Sequence, residues 1–266
     1  MGRFIIACGI DVILTHHPIA DAANSGGVPL KSYLDLYDIS VMELHEAFHG
    51  LHPGLSWLHG HKAFRVEIAY GGIPGNILYV GKALPEVKTL GDMLARLENL
   101  MCLEVEKQLL ELECKLRGNI EIYETCLATR PEILAGAPEN PVGTVAHIFP
   151  HTGFTAPHLV QVKKEHPEID TLLATISRVH RGSDLLKQAE EMGLNFVVGN
   201  CHAVEIFENG LPLARAIQLS LPEVEVLMLR ERVTATALAD FGNEGIRKYA
   251  DDIARTFLLP NKEKIK

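Results

Sequence analysis

Residues 169–198 read IDTLLATISRVHRGSDLLKQAEEMGLNFVV. The run 169–174 predicts a buried strand, 182–192 a helix and 194–198 a second strand. The pattern continues outward. Strand 142–149 and helix 156–166 precede this stretch, and helix 202–219 and strand 223–229 follow it. Strands that alternate with helices of ten or more residues form a parallel or mixed α/β sheet. In helix 202–219, Ile206, Leu213 and Ile217 are expected to build the core face.

The opening of this stretch occurs twice. Ile10-Asp11-x-Ile13-Leu14-Thr15 returns as Ile169-Asp170-x-Leu172-Leu173-x-Thr175. In each case a helix and a second strand follow. The first of these helices falls within 29–37 and the strand at 39–44. That second strand runs into histidine in both: Val41-Met42-Glu43-Leu44-His45 and Val197-Val198-Gly199-Asn200-Cys201-His202. The expected architecture is therefore two similar α/β halves with parallel or mixed sheets.

Between the halves the pattern changes. Residues 45–62 are rich in histidine, glycine and proline and read as mostly loop. Strands at 64–70 and 77–80 flank the turn G-G-I-P-G-N. Leucine and methionine then recur at helical spacing from Leu90 to Leu116, predicting one long helix over 86–117 stopped by Gly118-Asn119. Residues 131–141, PEILAGAPENP, read as a linker. The division expected is an N-terminal α/β half at 1–85, a helical insert and linker at 86–141, and a C-terminal α/β half at 142–266.

Composition narrows the classes of function. Lys and Arg number 25 against 34 Asp and Glu, a net charge of −9, which disfavours a nucleic-acid backbone as partner. No apolar stretch reaches the ~18 residues of a spanning helix. The five cysteines are widely spaced, with no C-x-x-C, which suits reduced thiols in a cytoplasmic protein. The N-terminal apolar run resembles a signal peptide only superficially, because Asp11 interrupts it. Histidine stands out: there are 13, and seven fall between residues 16 and 61.

Three histidine clusters each follow a predicted strand, and the carboxyl ends of strands are where open α/β sheets bind ligands. The first is His16-His17 before Pro18. A strand broken there can turn the two rings toward two neighbouring ions, whereas a regular strand would aim them to opposite faces. The second, His45-Glu46-Ala47-Phe48-His49, fits the H-E-x-x-H pattern of zinc proteases. Its context is wrong for that. It follows a strand, and Pro53 and Leu55 stand where a metzincin has its glycine and third histidine. The third is His202 with Glu205, three residues apart and so on one face of a helix. Bland readings compete at each: strand-end histidines, a solvated loop, and a glutamate favoured by a helix N-terminus. His59-Gly60-His61 reads as flexible and exposed, while one of His147, His151 and His158 is expected to line a pocket.

Ile10-Asp11-Val12-Ile13-Leu14-Thr15-His16-His17-Pro18 resembles the signature of the Nif-three-like dinuclear metal-centre hexameric proteins. This is the NGG-one-interacting-factor-three family, also labelled GTP cyclohydrolase type one, type two homologues. Residues 169–205 are similar to its C-terminal block, and the likeness covers residues 1–50 and about 142–230. The resemblance implies that His16, His17, His202 and Glu205 bind metal. The family's middle ligand is usually an aspartate at the position of His49, so His45, Glu46 and His49 are the candidates for that role. The metal set expected is thus His16, His17, His49, His202 and Glu205, with Glu46 and His45 as candidate catalytic groups. The family's usual first strand and helix have no counterpart in the fifteen residues before His16, so the first half is expected to lack them.

Imidazole with carboxylate, and no thiolate, suits two divalent transition-metal ions: Zn, Fe, Mn, Co or Ni. The expected function is a metal-dependent hydrolase of a small, nucleotide-like substrate. The alternative is a non-catalytic metal-binding or regulatory protein. The expected partner is a second copy of the chain, in a homo-oligomer that the resemblance makes a hexamer, with no membrane and no nucleic acid.

Overall fold

The computed structural model describes residues 9–15, 36–44, 52–117, 131–149, 153–174, 179–199, 204, 206–230 and 234–259. Along the chain the strands are β1 (Val12–Thr15), β2 (Ser40–Glu43), β3 (His61–Ile68), β4 (Ile77–Ala83), β5 (Glu132–Ala135), β6 (Thr144–Phe149), β7 (Thr171–Ala174), β8 (Asn195–Val198), β9 (Leu227–Arg230) and β10 (Thr234–Ala237). The helices are α1 (Gly54–Leu58), α2 (Leu90–Leu100), α3 (Leu103–Arg117), α4 (Ala156–Glu165), α5 (Asp184–Glu191), α6 (Leu211–Ser220) and α7 (Glu244–Ile253). The chain is a mixed α/β protein. No helix among the described residues is long and apolar enough to cross a membrane.

Strands β7 and β8, TLLA and NFVV, carry almost no polar side chain because both of their faces are covered. They lie parallel beside β6 in a six-stranded sheet ordered β3-β4-β6-β7-β8-β5. Strands β3, β4 and β5 join it antiparallel, so strands from before residue 86 and after residue 131 share one sheet. Alternate residues send side chains to opposite faces. Leu78, Val80, Ala146, Ile148, Leu172 and Phe196 meet α4 and α5 on one face. On the other, Ile77, Tyr79 and Phe149 meet α1, α2, α6 and α7, while Val145, Leu173 and Val197 meet Val87, Leu90 and Met93.

The internal repeat is present in the hydrogen bonding. β1 pairs parallel with β2 as β7 pairs with β8. Ser40 N–H donates to Asp11 O (3.0 Å) as Asn195 N–H donates to Asp170 O (2.9 Å). Past the strands, Leu44 N–H donates to Thr15 O (3.0 Å) and Gly199 N–H to Ala174 O (2.7 Å). Residues 11–14 and 170–173 thus occupy matched positions, with Thr15 equivalent to Ala174. In the second copy the Asp170 carboxylate also accepts from Gly143 N–H and Thr144 N–H at 3.1 and 2.9 Å, holding the start of β6 against the start of β7.

Several sequence expectations need correction. The long helix over 86–117 is two helices. Asp92 and Thr89 form a capping box that starts α2. Cys102, at φ 54°, then takes the left-handed conformation and ends it, so that Met101 and Leu103 both turn into the core. The supposed linker 131–141 contains β5, an edge strand on β8 with Leu134 buried. In the stretch read as mostly loop, the described residues 52–62 hold α1 and the start of β3. The core face ahead of and within α6 is Val204, Phe207, Leu211 and Ala214, whereas Leu213 and Ile217 are only half-buried. The hairpin β9–β10 and helix α7 follow, and α7 closes the core with Ile246, Tyr249 and Ala250. Most of the helix expected at 29–37 lies outside the described residues.

Candidate functional site

His16, His17, His45, Glu46, His49, His202 and Glu205 all lie outside the described residues. Their flanks are described. His16 follows β1 directly, and His45 follows Leu44, whose N–H bonds the last carbonyl of β1. The two histidine segments therefore start from neighbouring strand ends. On the C-terminal side, Val204 is buried at 1% exposure, and a π-turn, Ile206–Gly210, leads into α6.

Three residues beyond His49 and three beyond Glu205, the chain enters a buried polar cluster. His52, His59, His61, His147, Glu208 and Asn209 are each at most 3% exposed, among the apolar side chains of α1, α2, α6 and α7. Burying so many polar groups is costly unless they are bonded to one another. His61 Nε2 and His147 Nδ1 are hydrogen-bonded at 3.0 Å. The His59 ring stands edge-on to His147, centroids 4.7 Å apart, and its Nδ1–H donates to Leu55 O at 2.9 Å. That bond fixes the tautomer and leaves His59 Nε2 as a lone pair. His59 Nε2 and His61 Nδ1 have no hydrogen-bond partner among the described residues. The Tyr79 ring lies 5.5 Å from that of His147.

Burial sets the charge state of these rings. Desolvation lowers His59 to about 4, offset in part by the Leu55 bond and helped by the positive charge of Arg96. Desolvation and then His59 lower His61 to about 3. His147 falls well below its ordinary value for the same reason, with His59 and His61 adding to the effect. All three are neutral near pH 7.

A second group adjoins the first. Tyr249 Oη donates to the backbone carbonyl of Glu208 at 3.1 Å. Its hydroxyl is pushed well above the ordinary value, chiefly by burial and then by the Glu208 charge. Tyr249 and His52 both crowd Gly54, where a Cβ would lie 2.0 Å from Tyr249 Oη and 2.7 Å from His52 Nδ1. His52 Nδ1 accepts from Gly54 N–H at 3.1 Å. Trp57 stacks on Tyr249, centroids 5.1 Å apart and planes within 6°. Arg96 covers its ring at 4.3 Å and donates twice to Trp57 O, at 3.1 and 3.0 Å.

His59 and His61 are thus wholly buried, not flexible and exposed, because Gly60 lets α1 turn directly into β3 and carries both rings under the sheet. Of the three histidines near β6, His147 belongs to this buried cluster. His151 is outside the described residues, and His158 folds back to receive Thr155 N–H at the start of α4. The roles of Glu208, Tyr249 and His52 are not evident from spacing. The available signal was the density of histidine before residue 61 and a histidine inside the apolar run of β6. Among the described residues, no group of three His, Cys, Asp or Glu side chains is arranged to hold an ion.

No family model matches the chain, and no curated protein matches it. Among solved structures, it is similar to a Bacillus cereus protein related to NIF3, with a TM-score of 0.45 and 14% identity over 84% of this chain and 79% of the other. It is also similar to a NIF3 superfamily protein from Sphaerobacter thermophilus, with a TM-score of 0.37, 14% identity and the same two coverages.

Proposed function

We propose that the chain is a NIF3-like metal-binding protein that holds two divalent transition-metal ions and hydrolyses a small, nucleotide-like substrate. The observation that carries this reading is that Tyr249 lies beside His52 at Gly54 and bonds the backbone carbonyl of Glu208. His52 and Glu208 are far apart in sequence, yet each lies three beyond a candidate ligand, His49 or Glu205. This arrangement supports a single site served by the N-terminal and C-terminal ligand segments. The adjacent starts of the segments after β1 and β2 support it further.

The donor set fits the ions. His16, His17, His49 and His202 would give neutral imidazoles and Glu205 a carboxylate, a mixture suited to Zn, Fe, Mn, Co or Ni. Two such ions would supply hydroxide near neutral pH by lowering the pKa of bound water. Around them, His45 and Glu46 would hold or accept a proton, and the buried cluster would exclude water and fix the ligand-bearing segments. We assign the chain to a homo-oligomer, hexameric by the resemblance.

Elemental analysis of protein purified without added metal tests the reading. Two ions per chain are expected, and an absence of metal overturns it. His202→Ala and Glu205→Ala should each lose metal, while His166→Ala, whose ring accepts from Arg65 at 3.0 Å, should not. Equal content in all three variants would remove the C-terminal half from the site. Two bound ions with no turnover of nucleotides by the loaded protein would favour the regulatory alternative.

A further inference from the structure

Among the described residues, strand β3 is an edge of the six-stranded sheet, and it leaves apolar side chains open on both faces. Phe64, Val66 and Ile68 are 55%, 40% and 58% exposed. Val66 and Ile68 pair with Tyr79 and Ile77, so they extend the face that carries the His59 cluster. An uncovered edge of this kind is a template for another strand.

The hydrogen-bond alternation of an antiparallel ladder identifies which groups point outward. Leu84 N–H donates to Gly60 O and Ala83 N–H to Gly143 O. Even-numbered residues of β4 therefore bond to β3 and odd-numbered ones to β6. The β4 partners on β3 are Lys62, Arg65 and Glu67, with a bulge at Phe64. The backbones of His61, Ala63, Val66 and Ile68 consequently face away from β4. The bulge also puts Phe64 and Arg65 on one face, since both touch His166: the Phe64 ring at 6.2 Å and Arg65 Nη1 at 3.0 Å.

We propose that β3 pairs antiparallel with β3 of a second copy, about a two-fold axis between Phe64 and Arg65. It gives the homo-oligomer assigned above one defined contact. The bulge selects this register. With the axis there, the opposed pairs are His61–Ile68, Ala63–Val66, Lys62–Glu67 and Phe64–Arg65, and both members of every pair share a face. A shift of the axis sets at least one residue against a neighbour from the opposite face. The register also opposes the outward backbones, His61 to Ile68 and Ala63 to Val66, as hydrogen-bonded pairs. The chemistry is self-complementary. Lys62 meets the carboxylate of Glu67, the Arg65 guanidinium meets the Phe64 ring, and Val66 and Ile68 become covered. A C2 contact requires such self-complementarity, because one patch must fit itself.

Lys62 and Glu67 would form a non-hydrogen-bonded pair, whose Cα atoms lie ~4.5 Å apart, within disulfide reach. Within one strand they are roughly 16 Å apart and cannot be joined. The Lys62→Cys/Glu67→Cys variant should thus give a covalent dimer under mild oxidation, above the background that the native cysteines give in the unsubstituted protein. Lys62→Cys alone should not, because position 62 and its copy lie five residues apart along the ladder, roughly 16 Å. Ile68→Lys should reduce the size of the assembly in solution. Wild-type protein that runs as a 29.3 kDa monomer overturns both this contact and the homo-oligomer. An oligomer whose size Ile68→Lys leaves unchanged, and in which Lys62→Cys/Glu67→Cys does not crosslink, overturns this contact alone.

Discussion

His61 and His147, 86 residues apart in sequence, share a hydrogen bond of 3.0 Å with both rings wholly buried. His59 completes the group, and Arg96 is the charged side chain that bears on it. Burial disfavours a proton on His59 and His61 in the folded state. The unfolded chain, with histidines near 6.5, takes that proton readily. Their stabilising contribution is whole above about pH 6.5 and is lost as pH falls toward the folded values, about 4 for His59 and about 3 for His61. Each histidine costs about 1.4 kcal/mol per pH unit across that window. Urea unfolding at pH 7.5, 6.5 and 5.5 should show this steep fall, and His61→Leu should flatten it. An equal slope in the variant would show that the cluster does not govern acid stability.

Gly81→Ala should destabilise the protein by about 1–3 kcal/mol. Its Cβ would lie 2.5 Å from His61 Nδ1 and 2.6 Å from the backbone oxygen of Lys62, and the latter cannot rotate away. Thermal melts would read the loss. An unchanged melting temperature would mean that β3 shifts to accept the methyl group.

Removal of the Arg96 side chain should cost about 2 kcal/mol, because it takes away two charged hydrogen bonds to Trp57 O and the cation over the indole. Arg96→Lys should recover less than half, since an ammonium cannot make the planar fork and the stack together. Full recovery by lysine, measured by urea unfolding, would reduce the role of Arg96 to its charge.

Tyr249→Phe keeps the ring on Trp57 and deletes one hydroxyl. The Glu208 carbonyl then loses a buried donor, at a cost of about 1–2 kcal/mol. If Tyr249 holds the segment after Glu205 in place, metal content should fall along with stability. A variant that is destabilised but retains its full metal content would confine Tyr249 to packing.

The C-terminal alternation of strand and helix was readable because TLLA and NFVV admit no polar face and Ser183 supplies a helix cap. The first repeat was readable from six residues, since Asp11 and Asp170 open equivalent strands. The break at Cys102 was hidden, because leucine spacing continues across it and no glycine or proline marks the left-handed residue. The polar cluster was hidden for another reason. Histidines beside glycine and proline read as solvated, and only tertiary packing carries His59 and His61 under β4 and β6. Strand β5 was masked by the prolines and glycine of its neighbours, though Ile133 and Leu134 had the right character.

The chain has one tryptophan, and it is the residue stacked on Tyr249 beneath Arg96. Indole emission depends on its immediate surroundings, so the protein carries a built-in optical gauge where α1, α2 and α7 meet. It needs no label. Any loading of ions or small molecules that moves Tyr249 relative to α1 can be titrated from Trp57 fluorescence alone, before a substrate is identified.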